Sequence, residues 1–99
     1  MKINQIKVGG VLYDLVEKPF IDIGGDRNYQ GCTRYPHTSI EILADLSDER
    51  KNEVICHELT HAIFYEAGYE EQEEDVINRI GKVIHQVILD NDFKCLKNK

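Results

Sequence analysis

The sequence predicts a single α+β domain over residues 1–99, in which a small antiparallel sheet packs on two main helices. Apolar and polar residues alternate in the first half, whereas the second half shows the periodicity of amphipathic helices. The length of 99 residues suits one modest core, and 41% hydrophobic with 30% charged residues is the balance of an ordinary globular protein.

The first predicted strand pair is a hairpin. Residues 6–8 and 11–15 alternate between apolar and polar side chains on either side of Gly9-Gly10. Two adjacent glycines favour a tight turn, because both turn positions of a two-residue hairpin can require a positive φ. Pro19 cannot donate to a strand ladder and is expected to close the second strand.

A loop and a second strand pair are expected next. Residues 21–28 contain the turn residues Gly24, Gly25 and Asp26 and predict a loop. Residues 31–35 then predict a strand, and a turn around 36–38 leads into a further strand over 39–43.

The second half predicts two helices. The first is capped by Ser47 or Asp45 and runs to about Ala67, with Gly68 as its stop. The second begins within 70–73 and runs to about residue 90. Its apolar residues recur at the spacing of one helical face: Val76, Ile77, Ile80, Val83, Ile84, Val87 and Ile88.

The first helix contains the pattern H-E-x-x-H at His57-Glu58-Leu59-Thr60-His61. Residues four apart lie above one another on a helix, so both imidazoles can reach one ion, and imidazole nitrogen suits zinc. Glu58 lies about 100° further round the helix. We therefore expect His57 and His61 as ligands of Zn²⁺ and Glu58 as the catalytic base that takes a proton from water.

The third ligand must come from outside this motif, because a catalytic zinc site has three protein ligands and one open position. Glu73 and Glu74 open the second helix. With Ile80 as the middle of the apolar face, Glu73 falls about 20° from it and Glu74 about 120° away. Glu73 is therefore the first choice and Glu74 the reserve, and the alternative is that both are solvated acids at a helix N-terminus.

Taken together, a strand pair, the helix with His57-Glu58-Leu59-Thr60-His61-Ala62-Ile63 and the helix with Glu73-Glu74-Asp75-Val76 resemble the compact zincin-like metallopeptidases of bacterial and phage genomes. These are related in plan to the ImmA/IrrE-type metallo-endopeptidases. The resemblance spans residues 31–91. It implies a minimal zincin-like fold, peptide-bond hydrolysis with a zinc-activated water, a glutamate third ligand and a substrate strand along residues 39–43.

Five other residues have weaker claims on the site. Tyr65 is expected to be a packing residue with its hydroxyl at the rim, and the alternative is that it donates to an oxyanion. His37 is either a substrate contact or a solvated turn residue, and Cys32 is a conceivable fourth ligand. Cys56 is expected in the core and His85 on the surface.

Net charge, hydrophobic runs and cysteine count indicate which partners and which compartment to expect. A formal charge of -6 disfavours nucleic acid, and no apolar stretch predicts a membrane span. No apolar run follows the first residues, and the three cysteines are odd in number and widely spaced, so we expect a cytoplasmic protein with reduced thiols. The expected partner is a peptide or protein substrate. The alternatives are a zincin-like domain that binds a protein partner without cutting it, and a structural zinc protein with a closed site.

Overall fold

A computed structural model describes residues 4–98 of the chain. A four-stranded sheet and two long helices confirm the predicted α+β class. The elements are β1 Gln5–Val8, β2 Val11–Lys18, β3 Gly31–Arg34, β4 Ser39–Leu43, α1 Asp48–Glu66, α2 Glu74–Asp90 and the short α3 Lys94–Lys97. Within residues 4–98, no helix has both the length and the apolar character that crossing a membrane requires.

Both predicted strand pairs are confirmed. β1 pairs antiparallel with β2 around Gly9 and Gly10, whose φ angles of 56° and 85° are the positive values that the turn requires. β3 pairs antiparallel with β4 across a single 3-10 turn, Tyr35–His37. Thr38 ends that turn in the left-handed conformation, with φ 46°.

The sheet is mixed, so the expectation of a small antiparallel sheet is wrong for one of its three pairings. Its strand order is β1-β2-β4-β3, and β2 pairs parallel with β4. The connection 19–30 carries the chain past one strand position, so β3 forms the outer strand and β4 returns into the gap beside β2. Because β4 is paired on both sides, a substrate cannot add as a strand along residues 39–43, and that expectation is also wrong. β3 is the edge strand on this side of the sheet.

Helix α1 lies between the sheet and α2, with contacts to β3 and β4 on one side and to α2 on the other. Ser47 caps it by accepting a hydrogen bond from the backbone N–H of Arg50, as one of the two predicted caps. The core lies between α1 and the sheet and is formed by Val8, Tyr13, Ile40, Ile42, Val54, Leu59 and Ala62. Helix α1, which carries the H-E-x-x-H motif, is therefore packed against the sheet on one side and against α2 on the other.

Helix α2 packs closely against α1 at Gly81. A Cβ at Gly81 would lie 3.2 Å from Oγ1 of Thr60 and 3.3 Å from Cα of His57. Ile77 and Gly81 are the buried residues of α2, whereas Ile80 is 39% exposed. The side of α2 that faces α1 is therefore centred near Gly81, and the assumption that Ile80 marks the middle of the buried face is wrong.

Candidate metal centre

His57 and His61 lie one helical turn apart on the side of α1 that faces the start of α2. Their ring centroids are 5.0 Å apart, with the ring planes at 73°. Both side chains are largely shielded from solvent, with exposed fractions of 26% and 17%. The spacing that predicts two imidazoles directed at one point is thus present in the structure.

The carboxylate beside the two imidazoles belongs to Glu74. Its Oε1 lies 2.6 Å from Nε2 of His57, and its Oε2 lies 3.2 Å from Nε2 of His61. One ligand atom from each of these three residues lies within 4.8 Å of the other two. The reserve choice for the third ligand is thus the residue that the structure brings to the histidines.

Glu73, the first choice, is not in this group, and the reason is the phase of α2. The helix begins at Glu74, and Glu73 is its N-cap with extended backbone angles, φ -87° and ψ 125°. Glu74 is seven residues before Gly81, which places it about 20° from Gly81 around the helix. The helical angle measured from Ile80 therefore predicts Glu73 on the side facing α1, where the structure has Glu74.

The donor set fits a divalent metal ion in both chemistry and spacing. Two imidazole nitrogens and one carboxylate oxygen are ligands that zinc prefers, at about 2.0–2.2 Å. A tetrahedral ion with such bonds keeps neighbouring ligand atoms about 3.3 Å apart. The distance of 3.2 Å from Nε2 of His61 to Oε2 of Glu74 is near this value. The distance of 2.6 Å from Nε2 of His57 runs to the other oxygen, Oε1, so the carboxylate has to turn to offer one oxygen to the ion at this spacing from both nitrogens. Because the Glu74 side chain is 68% exposed, a small rotamer change can supply the difference.

Glu58 is buried against the edge strand, with 8% of its surface exposed. Its Oε1 lies 2.8 Å from the hydroxyl of Thr33 on β3. Burial raises the pKa of its carboxyl group, while the Thr33 hydroxyl and the two histidines of the motif act in the opposite direction. The same interactions place Glu58 within electrostatic range of His57, His61 and Glu74.

The absence of a side chain at Gly31 leaves room for the Glu58 side chain. A Cβ at this position would lie 2.5 Å from Cγ1 of Val54 and 3.0 Å from Cγ of Glu58. Both distances are too short for a side chain larger than hydrogen, so β3 can approach α1 this closely only with glycine at residue 31.

Gln72, in the loop between α1 and α2, contacts the His61 ring at Nδ1, the nitrogen that does not face Glu74. Its Oε1 lies 2.6 Å from Nδ1 of His61. Its Nε2 donates to the backbone carbonyls of Tyr69, at 3.1 Å, and of His61, at 3.3 Å. The hydroxyl of Tyr35 donates to Oε1 of Gln72 at 3.4 Å.

The residues with weaker claims lie outside the three-residue group. Tyr65 stacks on Tyr35 with ring centroids 4.1 Å apart, which agrees with the expected packing role. His37 is exposed in its turn and Cys56 is buried in α1. Cys32, weighed as a fourth ligand, is likewise absent from the metal-ligand group found among residues 4–98.

His85 differs from its expectation. It is partly buried, and with Ile55, Leu59 and Ile88 it lines a groove of about 540 Å³ between α2, α1 and the first two strands. It is therefore not the surface residue that the sequence predicts.

Sequence reasoning missed Thr33, Gln72 and Gly31. Thr33 and Gly31 act through a strand that is 25 to 27 residues from Glu58 in the chain, so no local pattern links them to it. Gln72 stands in a run of acids, where its neutral carboxamide is the one departure from Glu70 to Asp75, and this was the available signal.

No protein-family model matches this chain, and comparisons with curated proteins and with solved structures found no significant match. The geometry of the site is therefore the support for a function.

Proposed function

We propose that this protein is a zinc-dependent metallopeptidase that hydrolyses peptide bonds at the centre formed by His57, His61 and Glu74. The observation that supports this function is the convergence of three ligand atoms within 4.8 Å of one another, beside the buried carboxylate of Glu58. A convergence of two imidazoles and a carboxylate on one point is the three-ligand arrangement of catalytic zinc sites.

A catalytic centre fits the ligand count better than a closed structural one. A structural zinc site needs four protein ligands, and the group found within residues 4–98 has three. The fourth position is then available for water or substrate. A zinc ion bound there would polarise the scissile carbonyl and activate a water molecule as the nucleophile.

Glu58 supplies the proton transfer in this proposal. Its carboxylate is buried and accepts a hydrogen bond from the Thr33 hydroxyl, which restricts its orientation relative to the two histidines. A carboxylate fixed in this way can accept a proton from the attacking water and deliver it to the leaving amine. Glu58 is therefore assigned as base and not as a ligand.

An extended peptide is the substrate that the sheet favours. β3 ends the strand order, and its Thr33 contacts Glu58 directly. A peptide that adds to this edge as a further strand would run past the catalytic carboxylate, with backbone hydrogen bonds supplying sequence-independent affinity. We further propose that the protein acts in the cytoplasm, which is supported by its three unpaired cysteines, Cys32, Cys56 and Cys95.

The test is cleavage of a diverse peptide pool by the zinc-loaded chain, followed by mass spectrometry, with the zinc content measured in parallel. The parent should bind about one zinc per chain and cleave. Glu58→Gln should keep its zinc and lose at least the 10²–10⁴-fold that general acid–base catalysis contributes, because an amide cannot accept a proton at neutral pH. His57→Ala should lose both zinc and cleavage.

Three results would count against the proposal. Cleavage at an undiminished rate by zinc-loaded Glu58→Gln would refute the role of Glu58. Equal zinc content in His57→Ala and the parent would refute the metal centre. A parent that binds zinc and cleaves no peptide would refute the peptidase and favour the alternative of a zincin-like domain that binds a protein partner without cutting it.

A further inference from the structure

The carboxamide of Gln72 has one orientation that satisfies its neighbours. Its Nε2 faces two backbone carbonyl oxygens, those of Tyr69 and His61, at 3.1 and 3.3 Å. An amide NH₂ group donates and an amide oxygen accepts, so a rotation of the group by 180° would set Oε1 against two acceptors. The two carbonyls therefore fix Oε1 of Gln72 on the side of the His61 ring.

This orientation determines which nitrogen of His61 carries the proton. Oε1 of Gln72 lies 2.6 Å from Nδ1 of His61 and can only accept a hydrogen bond. Nδ1 must then donate, and in the neutral ring the lone pair is left on Nε2. That nitrogen is the one facing Glu74, 3.2 Å from its Oε2.

We infer that Gln72 is a positioning residue that holds His61 in the tautomer competent for metal binding and joins that histidine to the loop that delivers Glu74. The inference deepens the proposed function and rests on it. A lone pair on Nε2 and a carboxylate oxygen repel each other at this distance unless a metal ion or a proton lies between them, and a metal ion bound at this centre fulfils that condition. Outer partners of this kind orient ligating histidines and raise metal affinity by about 10–100-fold.

The connection to Glu74 follows from the position of Gln72 in the chain. Gln72 is two residues before Glu74, and its Nε2 donates both to α1, at the carbonyl of His61, and to the loop, at the carbonyl of Tyr69. One side chain thus contacts the imidazole, the backbone of the ligand helix and the loop before α2. Tyr35 contributes a further donor to the same oxygen.

The test compares Gln72→Met, which has a similar length but lacks the carboxamide, with Gln72→Glu, which keeps an acceptor for Nδ1. The ¹⁵N resonances of the His61 ring are recorded in the metal-free protein at a pH where the ring is neutral. The parent and Gln72→Glu should show protonated Nδ1, and Gln72→Met should shift toward protonated Nε2. Zinc affinity, measured by competition with a chelator, should fall about 10–100-fold in Gln72→Met and by less in Gln72→Glu.

Gln86→Met is the matched control, since Gln86 is an exposed glutamine on α2 that hydrogen-bonds to Asp90. It should leave both measurements unchanged. If Gln72→Met does not fold, Gln72→Asn, whose carboxamide is one methylene shorter, replaces it with the same expected results. An unchanged His61 tautomer or unchanged zinc affinity in the folded variant would overturn the inference, as would protonated Nε2 in the parent. If the parent itself binds no zinc, the proposed function fails, while the ring tautomer still decides the role of Gln72.

Discussion

The hydroxyl of Thr33 on the edge strand lies 2.8 Å from Oε1 of Glu58 and 2.9 Å from the backbone carbonyl oxygen of the same residue. A hydroxyl has one proton to donate, so it bonds one of these oxygens at a time. When the proton goes to Oε1, the edge strand holds the carboxylate of Glu58; when it goes to the carbonyl oxygen, the strand holds the backbone of α1 at the same residue. Sheet and site are thereby connected through one side chain.

Thr33→Val should destabilise the protein by about 1–3 kcal/mol, because a buried carboxylate loses a hydrogen-bond donor. Valine has nearly the volume of threonine, so the change does not leave a cavity. Thr33→Ser keeps the hydroxyl and should retain more of the stability than valine does. Chemical denaturation of the three proteins measures the difference. A valine variant as stable as the parent, beside a destabilised serine variant, would show that the methyl group and not the hydroxyl supports this position.

The two adjacent glutamates at the start of α2 should differ in their effect on zinc. Glu74→Gln should weaken zinc binding strongly, because the Glu74 carboxylate is the group that faces both imidazoles. Glu73→Gln should be mild, since Glu73 is the N-cap and lies outside the metal-ligand group. Chelator competition on both variants measures the two effects. The reverse order would mean that the face of α2 turned toward α1 is displaced by one residue from the structure described here.

The sequence could identify the two histidines but not the correct glutamate, and the reason is the glycine at residue 81. A periodicity of apolar residues predicts a buried face from side chains, and glycine contributes nothing to such a pattern. Gly81 nevertheless marks the line where α2 approaches α1, and Ile80 beside it is 39% exposed. The helical phase taken from Ile80 was therefore about 100° in error, which exchanged the positions of Glu73 and Glu74.

For the sheet, the sequence likewise predicts the pairings between strands that are adjacent in the chain and not the pairing between distant strands. Both hairpins were predicted because their turns, at Gly9-Gly10 and around Pro36, lie in the sequence between their strands. The parallel pairing of β2 with β4 depends on which strand the chain bypasses, and no residue pattern in 19–30 encodes that choice. The edge position of Thr33 follows from this order, so its contact with Glu58 was beyond sequence reasoning.

Gly81→Val should separate the two helices and so weaken the metal centre. A new Cβ would lie 3.3 Å from the backbone of His57 and 3.2 Å from Thr60, whose hydroxyl is already bonded to the carbonyl of Cys56 at 2.7 Å. Neither neighbour can yield easily, so we expect a loss of about 1–3 kcal/mol from overpacking. Zinc affinity should fall by about tenfold or more as Glu74 moves away from the histidines.

Lys82→Val is the control for this substitution, because it places the same side chain on an exposed neighbouring position of the same helix. Denaturation and chelator competition should both show values near those of the parent. If Gly81→Val binds zinc as tightly as Lys82→Val does, the approach of α2 to α1 does not control the position of Glu74.

The last prediction concerns alkaline stability and the core residue Tyr13. Its side chain is fully buried, and its hydroxyl donates to Oε2 of Glu66 at 2.7 Å. Burial, with the Glu66 carboxylate adding to it, raises the pKa of Tyr13 above its ordinary value. The folded protein then keeps a proton that the unfolded chain releases near pH 10, so this contribution to stability is complete below about pH 10 and is lost as the pH rises further. Tyr13→Phe should lower the free energy of unfolding by about 1.5–3 kcal/mol at neutral pH, because the hydrogen bond has a charged acceptor, and should flatten the decline in stability above pH 10.

Tyr29→Phe, at a position that is 41% exposed, is the control and should leave the slope of stability against pH above pH 10 as in the parent. Unfolding by urea between pH 7 and 11 measures both, and an unchanged slope in Tyr13→Phe would exclude Tyr13 as its source.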